Sequence, residues 1–173
     1  MKFTVRGQLD NGAWYYGTDP KYHWVDSFHT GYVLESLNYY IRCRRDWTFQ
    51  KQLEKGYRFF VDTFFGQDRS PRYYDYKKRP IDIQCASQGI QTLVNLRELD
   101  PRSVDVAVKV ARWTILNMQD REGYFYYRKY PFITNKTSTL HWGQATMFAA
   151  LALLDQHLHG IIVEGATADR ACQ

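Results

Sequence analysis

Asp26 and His29 stand three residues apart in the run Val25-Asp26-Ser27-Phe28-His29. If a helix begins there, both share one face. A carboxylate beside an imidazole is one way to build a proton-transfer group near neutral pH. His141, in His141-Trp142-Gly143, is a second proton-transfer candidate, and Asp82, just after Pro80, is a candidate acid. Each has a plainer role beside the chemical one. Asp26 and Asp82 are ordinary helix N-caps, and the two histidines serve equally as capping or packing residues. Hydrolysis of a glycoside usually needs two carboxylates facing the scissile bond. Asp26 and Asp82 are the only good pair, so the inventory suits a lyase or epimerase working through His and Tyr better than a hydrolase.

Aromatic and basic residues surround these four. Trp14, Tyr15, Tyr16 and His23 precede the first histidine; Tyr73, Tyr74, Lys77, Lys78 and Arg79 precede Asp82; Tyr126, Tyr127, Arg128 and Lys129 precede His141. Gln88, Trp142 and Gln144 complete the set of candidate substrate-binding residues. Aromatic rings with polar tips suit sugar faces, and helix N-termini favour anions, so the expected ligand is an acidic sugar. Cys85 opens a helix where a thiolate would be favoured, although a small buried residue is the plainer reading. His157-Leu158-His159 lacks a third ligand, so no metal site and no cofactor is expected. Asn135-Lys136-Thr137 matches a glycosylation sequon that carries no weight in a chain read as cytoplasmic.

The elements that must position these residues repeat. Gln8-x3-Gly12-x-Trp14 matches Gln119-x3-Gly123-x-Phe125, and Gln67 to Tyr73 is a weaker copy with Pro71 in place of the glycine. About twenty residues after each Gln comes a second landmark, at Gly31, Gly89 and Gly143. Two landmarks of nearly equal period indicate stacked supersecondary units. Apolar periodicity and capping predict helices over 27–43, 46–65, 83–97, 101–119 and 139–156. Asp26 or Ser27 and Asp46 are the caps, and Pro101 opens the fourth helix. The helices starting near 27, 83 and 139 are apolar nearly all round, which suits an inner layer. Those at 46–65 and 101–119 are amphipathic, which suits an outer one. Inner and outer helices alternating describe an all-α fold, a partial α/α toroid of about three helix-hairpin repeats. The expected division is one domain over 1–157, with repeats near 8–66, 67–118 and 119–157, and a loosely structured tail over 158–173. The chain supplies about half a ring, so a missing N-terminal half or a second copy is expected to complete it.

Composition sets the outer bounds. At 173 residues and 45% hydrophobic, the chain can bury a core. Its 14 Tyr, 10 Phe and 5 Trp are an unusual aromatic load, most of which a helical core absorbs. The net charge of +5 favours acidic partners. No zinc-finger spacing, RNA-recognition signature or continuous basic helix points to nucleic acid. Cys43, Cys85 and Cys172 form no disulfide framework, and no signal peptide or membrane span is visible. A cytoplasmic location is the expectation.

The Gln-x3-Gly-x-Trp/Phe spacing resembles the QW repeat of squalene and oxidosqualene cyclases. That resemblance implies an α/α toroid in which the motif ties outer helices together and is structural. The cyclase chemistry is not implied, because the DxDD and DDxxD strings of terpenoid enzymes do not occur. The segments WYYGTDPKYHWVDSFHTGYVLESL, PIDIQCASQGIQTL and GYFYYRKYPFITNKTSTLHWGQATMFAALALL are similar to bacterial α/α-toroid proteins encoded beside polysaccharide-biosynthesis genes. That resemblance spans roughly residues 8–155. It implies kinship of fold with six-hairpin glycosidases, a class holding glycan hydrolases, polysaccharide lyases and sugar epimerases. A non-catalytic glycan-binding or assembly protein is the alternative.

Overall fold

The computed structural model describes residues 1–160. Residues 161–173, most of the expected tail, and Cys172 lie outside the described residues. Six helices dominate: α1 (Lys2–Arg6), α2 (Ser27–Arg44), α3 (Gln50–Phe64), α4 (Ile83–Asn95), α5 (Ser103–Met118) and α6 (Thr146–Leu158). A wide π turn over Leu140–Ala145 leads into α6. No described helix is long and apolar enough to cross a membrane.

Local chemistry explains most helix starts. The carboxylate of Asp26 accepts from the backbone N–H of His29, and Asp82 accepts from that of Gln84. Asp46 also caps, but what it caps is a single 3₁₀ turn, Trp47–Phe49, before α3 proper. Pro101 lies in the turn before α5, whose first residue, Ser103, donates its N–H to Asp100 O. Caps of this kind satisfy donors that the helix itself leaves free.

The helices form two layers of a curved wall. Inner helix α4 packs against α2 on one side and α6 on the other, while α3 backs α2 and α5 backs α4. Between the layers lies the core, with Leu34, Leu37, Leu53, Phe60, Phe64, Ile90, Leu93 and Val110 among its buried residues. The amphipathic outer helix α3 buries one stripe: Leu53, Gly56, Tyr57, Phe60 and Phe64. Among the described residues, burial on every side holds for α4 alone, because only α4 has a described inner neighbour on both flanks. Helix α2 leaves Tyr32 and Tyr39 exposed, and α6 leaves Phe148 and Leu158 exposed.

The segments read as irregular loops contain a small antiparallel sheet: β1 (Ile81–Asp82), β2 (Arg128–Lys129) and β3 (Thr134–Asn135), in that order. Asp82 pairs with Arg128, which in turn pairs with Asn135. The same link recurs one unit earlier. There Asp26 bridges Tyr74, and Ser27 N donates to Tyr73 O just as Ile83 N donates to Tyr127 O. Inner helices α2 and α4 are thus each entered through an extended segment that pairs with the loop of the next unit.

The repeated turn corrects the alignment of the middle copy. Leu9 N donates to Ala13 O, Gly66 N to Ser70 O and Asp120 N to Tyr124 O, while Gly12, Arg69 and Gly123 all have positive φ. The counterpart of Gln8 and Gln119 is therefore Phe65, not Gln67. Pro71 takes the place of the aromatic residue rather than of the glycine, since Phe65 bridges Pro71 as Gln119 bridges Phe125. The Asp26 and Asp82 caps likewise make Ser87, not Gly89, the counterpart of Gly31. Both landmarks slip by two residues in the same direction, which preserved their apparent period.

Candidate functional site

Three clusters of candidate residues lie at the N-terminal ends of the inner helices. In the first, Nδ1 of His29 is 2.9 Å from both oxygens of Asp26, whose Oδ1 also accepts the His29 backbone N–H at 2.8 Å. An ionised carboxylate only accepts, so Nδ1 carries a proton, and in the neutral imidazole Nε2 is the acceptor. Asp26 is buried, whereas 43% of the His29 side chain is exposed. Tyr16 meets the imidazole edge-on at 4.6 Å between ring centroids and stacks on Trp24 at 4.6 Å; Tyr15 stacks on His23 at 4.2 Å. Tyr15 and Tyr16 are partly open to solvent.

The second cluster joins Asp82 to Arg128. Arg128 Nε donates to Asp82 Oδ2 at 2.8 Å, and its Nη2 lies 2.6 Å from the same oxygen. The guanidinium also sits over the rings of Tyr73 and Tyr127. Asp82 is fully buried. Burial raises its carboxyl above the usual value, against the lowering effect of Gln84 N–H and Arg128. Burial, followed by the nearby Asp26, pushes the Tyr73 phenol up as well. An acid enclosed between a helix cap and a guanidinium is a structural tie, not an acid that meets substrate.

The third cluster is a cleft of about 270 Å³ between α2, α4 and the start of α6. Phe28, Tyr32, Gln88, Gln91, His141 and Thr146 are among its lining residues. His141 is exposed and meets Trp142 edge-on at 4.7 Å. Gln88 Nε2 donates to Glu35 Oε1 at 2.6 Å and to Thr92 Oγ1 at 3.1 Å, which fixes its amide. Glu35 also accepts from Thr92 Oγ1 at 2.7 Å and Asn95 Nδ2 at 3.0 Å. Desolvation raises the Glu35 carboxyl despite these three donors. The sequence reading missed Glu35. Its signal was a polar stripe, Gln88, Thr92 and Asn95, at helical spacing on an otherwise apolar helix.

The candidate residues therefore do not form one site. His29 does not line the cleft that holds His141; Phe28, which packs edge-on against His29, does. Trp14 is a correction: only 7% exposed, it donates Nε1–H to Thr4 O and packs on Gly56, so it has no face to offer a sugar. Gln144 is another, because both ends of its amide are spent on Phe125, accepting from its N–H and donating to its C=O at 2.8 Å. Tyr126 donates its hydroxyl to Asp120, and Tyr74 packs on Tyr73 at 4.5 Å. Lys78 and Arg79 line a separate cleft with Arg72 and Asp68. Cys85 is wholly buried, and burial pushes its thiol well above the ordinary value, so no thiolate is favoured there. Among the described residues no group of acids, histidines or cysteines could hold a metal ion.

No family model and no curated protein matches this sequence. Solved structures do resemble it. The cellobiose 2-epimerase of Bacillus thermoamylovorans superposes with a TM-score of 0.72 at 13% identity, over 99% of this chain and 50% of the epimerase. The fold is a partial α/α toroid. An inactive variant of an α-1,6-mannanase from a Salegentibacter species, in complex with α-1,6-mannotriose, gives a TM-score of 0.51 at 11% identity. That match covers 90% of this chain and 62% of the mannanase. The chain thus spans about half the length of the epimerase and less than two thirds of the mannanase. At these identities the likeness is one of fold.

Proposed function

We propose that this chain is part of a carbohydrate-active enzyme of polysaccharide metabolism that binds an acidic glycan at the mouth of the toroid and moves a proton on it. The observation that carries this reading is the cleft between α2, α4 and α6, where His141, the fixed amide of Gln88 and the Tyr32 ring converge. His29, oriented by Asp26, is the second proton-transfer group, with Nε2 free to accept. Tyr15, Tyr16 and Trp142 offer exposed rings for stacking. Epimerase or lyase chemistry is favoured over hydrolysis, because Asp26 is committed to His29 and Asp82 to Arg128, which leaves neither of these two carboxylates free to face a scissile bond. A glycan-binding protein without turnover is the second reading, favoured by the absence of His29 from the cleft lining. The complete site requires a further half-ring, supplied by a longer form of the chain or by a second copy.

Saturation-transfer NMR with oligouronates and neutral oligosaccharides tests the ligand class. Binding of the acidic sugars, with turnover abolished and binding spared in His29→Ala and His141→Ala, is the expected result. Measured on the completed ring, whether a longer chain or a dimer, binding without turnover by the wild type supports the second reading, and no binding removes both.

A further inference from the structure

The β2–β3 hairpin presents an apolar tip that neither the fold nor the proposed site uses. Tyr130 N donates to Ile133 O at 2.8 Å, closing a tight turn over Tyr130, Pro131, Phe132 and Ile133. Phe132 is completely exposed (101%) and Ile133 is 68% exposed. Ordinary surfaces do not place a bare Phe and Ile side by side at the apex of a protrusion. Lys129 and Lys136 flank the tip, and no ion pair engages either of them among the described residues. Between Glu122 and Asp155 the sequence contains no carboxylate at all. The preceding loop, joined to the same sheet, adds exposed Tyr76, Lys77 and Lys78.

We propose that this hairpin docks the protein on a membrane surface rich in anionic phospholipid. The tip enters the headgroup boundary, and the lysines stay at the level of the lipid phosphates. The shape selects this occupant: a convex apolar apex fits a deformable interface, whereas a partner helix would need a groove. The charge selects it too, since a cationic, acid-free segment matches an anionic sheet. Two apolar side chains and a few lysines give weak, reversible and salt-sensitive attachment.

Cosedimentation of the 173-residue chain with vesicles of phosphatidylcholine, with and without about a third phosphatidylglycerol, is the test. The chain is expected to pellet with the anionic vesicles, to stay largely free of the neutral ones, and to be released by salt. Phe132→Ser with Ile133→Ser should lower partitioning roughly tenfold while leaving the melting temperature nearly unchanged, because both side chains are largely exposed. Lys129→Gln with Lys136→Gln should weaken binding and flatten its salt dependence. A Phe132→Trp variant keeps an apolar tip, and its emission should shift to the blue on anionic vesicles relative to wild type. No binding by the wild type, equal binding to both vesicles, or unchanged binding after loss of Phe132 and Ile133 each overturns the proposal.

Discussion

At the scale of single residues, the two acids that cap inner helices have different second duties, and substitution separates them. Asn caps a helix about as well as Asp, whereas Ala does not. Asp26→Asn should therefore leave stability nearly unchanged, and Asp26→Ala should cost about 1 kcal/mol in urea melts. Asp82 behaves otherwise, because its partner is a guanidinium. Arg128→Ala leaves a buried carboxylate with its cap bond alone and should cost about 3 kcal/mol. Glu35 makes a prediction in pH. Its folded pKa is raised, so the folded chain holds that proton more tightly than the unfolded chain does. Stability from this source is present below the ordinary glutamate value and is lost as pH rises through the raised one. Against a Glu35→Leu variant, the wild type should lose relative stability over that window, measured by urea melts from mild acid to neutrality. The caps were legible in the sequence because a cap is made within four residues. Glu35 was not, because its burial and its three donors exist only once α4 lies against α2.

Among the elements, the recurring turn is the most informative. Gln8 donates to Gly12 O at 3.1 Å, and also to Gln52 O; Gln119 donates to Gly123 O at 2.8 Å. The two glycines share the same unusual φ but not the same surroundings. A Cβ on Gly12 would lie 2.7 Å from the Lys55 carbonyl oxygen, while one on Gly123 meets nothing within 4 Å. Gly123→Ala should cost about 1–2 kcal/mol through backbone strain alone. Gly12→Ala should cost clearly more, and paired thermal melts give the comparison. The helices themselves were readable to within a few residues, because amphipathic stripes and stop signals are local. The sheet was not, because its strands are two residues long and β1 finds its partner a whole unit away. The middle turn was misaligned for a related reason. Its glycine position is filled by Arg69 and its aromatic position by Pro71, so the backbone keeps a shape that the side chains no longer announce.

On the scale of the molecule, α5 and α6 form one edge of the wall among the described residues. Leu116 is 71% exposed and Phe148 76%, and both line an apolar groove of about 930 Å³ together with Ile115, Leu151 and Leu158. An open apolar edge of this size drives association. Light scattering of the isolated chain should show concentration-dependent self-association, reduced by Leu116→Glu with Phe148→Glu; a strict monomer would count against completion by a second copy. The strand links between units carry a different consequence. The link of Val25–Ser27 to Tyr73–Asp75 closes α2 and α3 into one loop, and the link of β1 to β2 does the same for α4 and α5. These closed loops run out of phase with the repeats visible in the sequence. The exposed stretch Tyr76–Lys78 falls between them. Brief trypsin treatment cutting after Lys77 or Lys78 would thus sever the backbone without breaking either ladder. The two fragments would stay together through the α2–α4 contact and elute as one species under native conditions, so the protein can be made from two separately expressed pieces joined at that point.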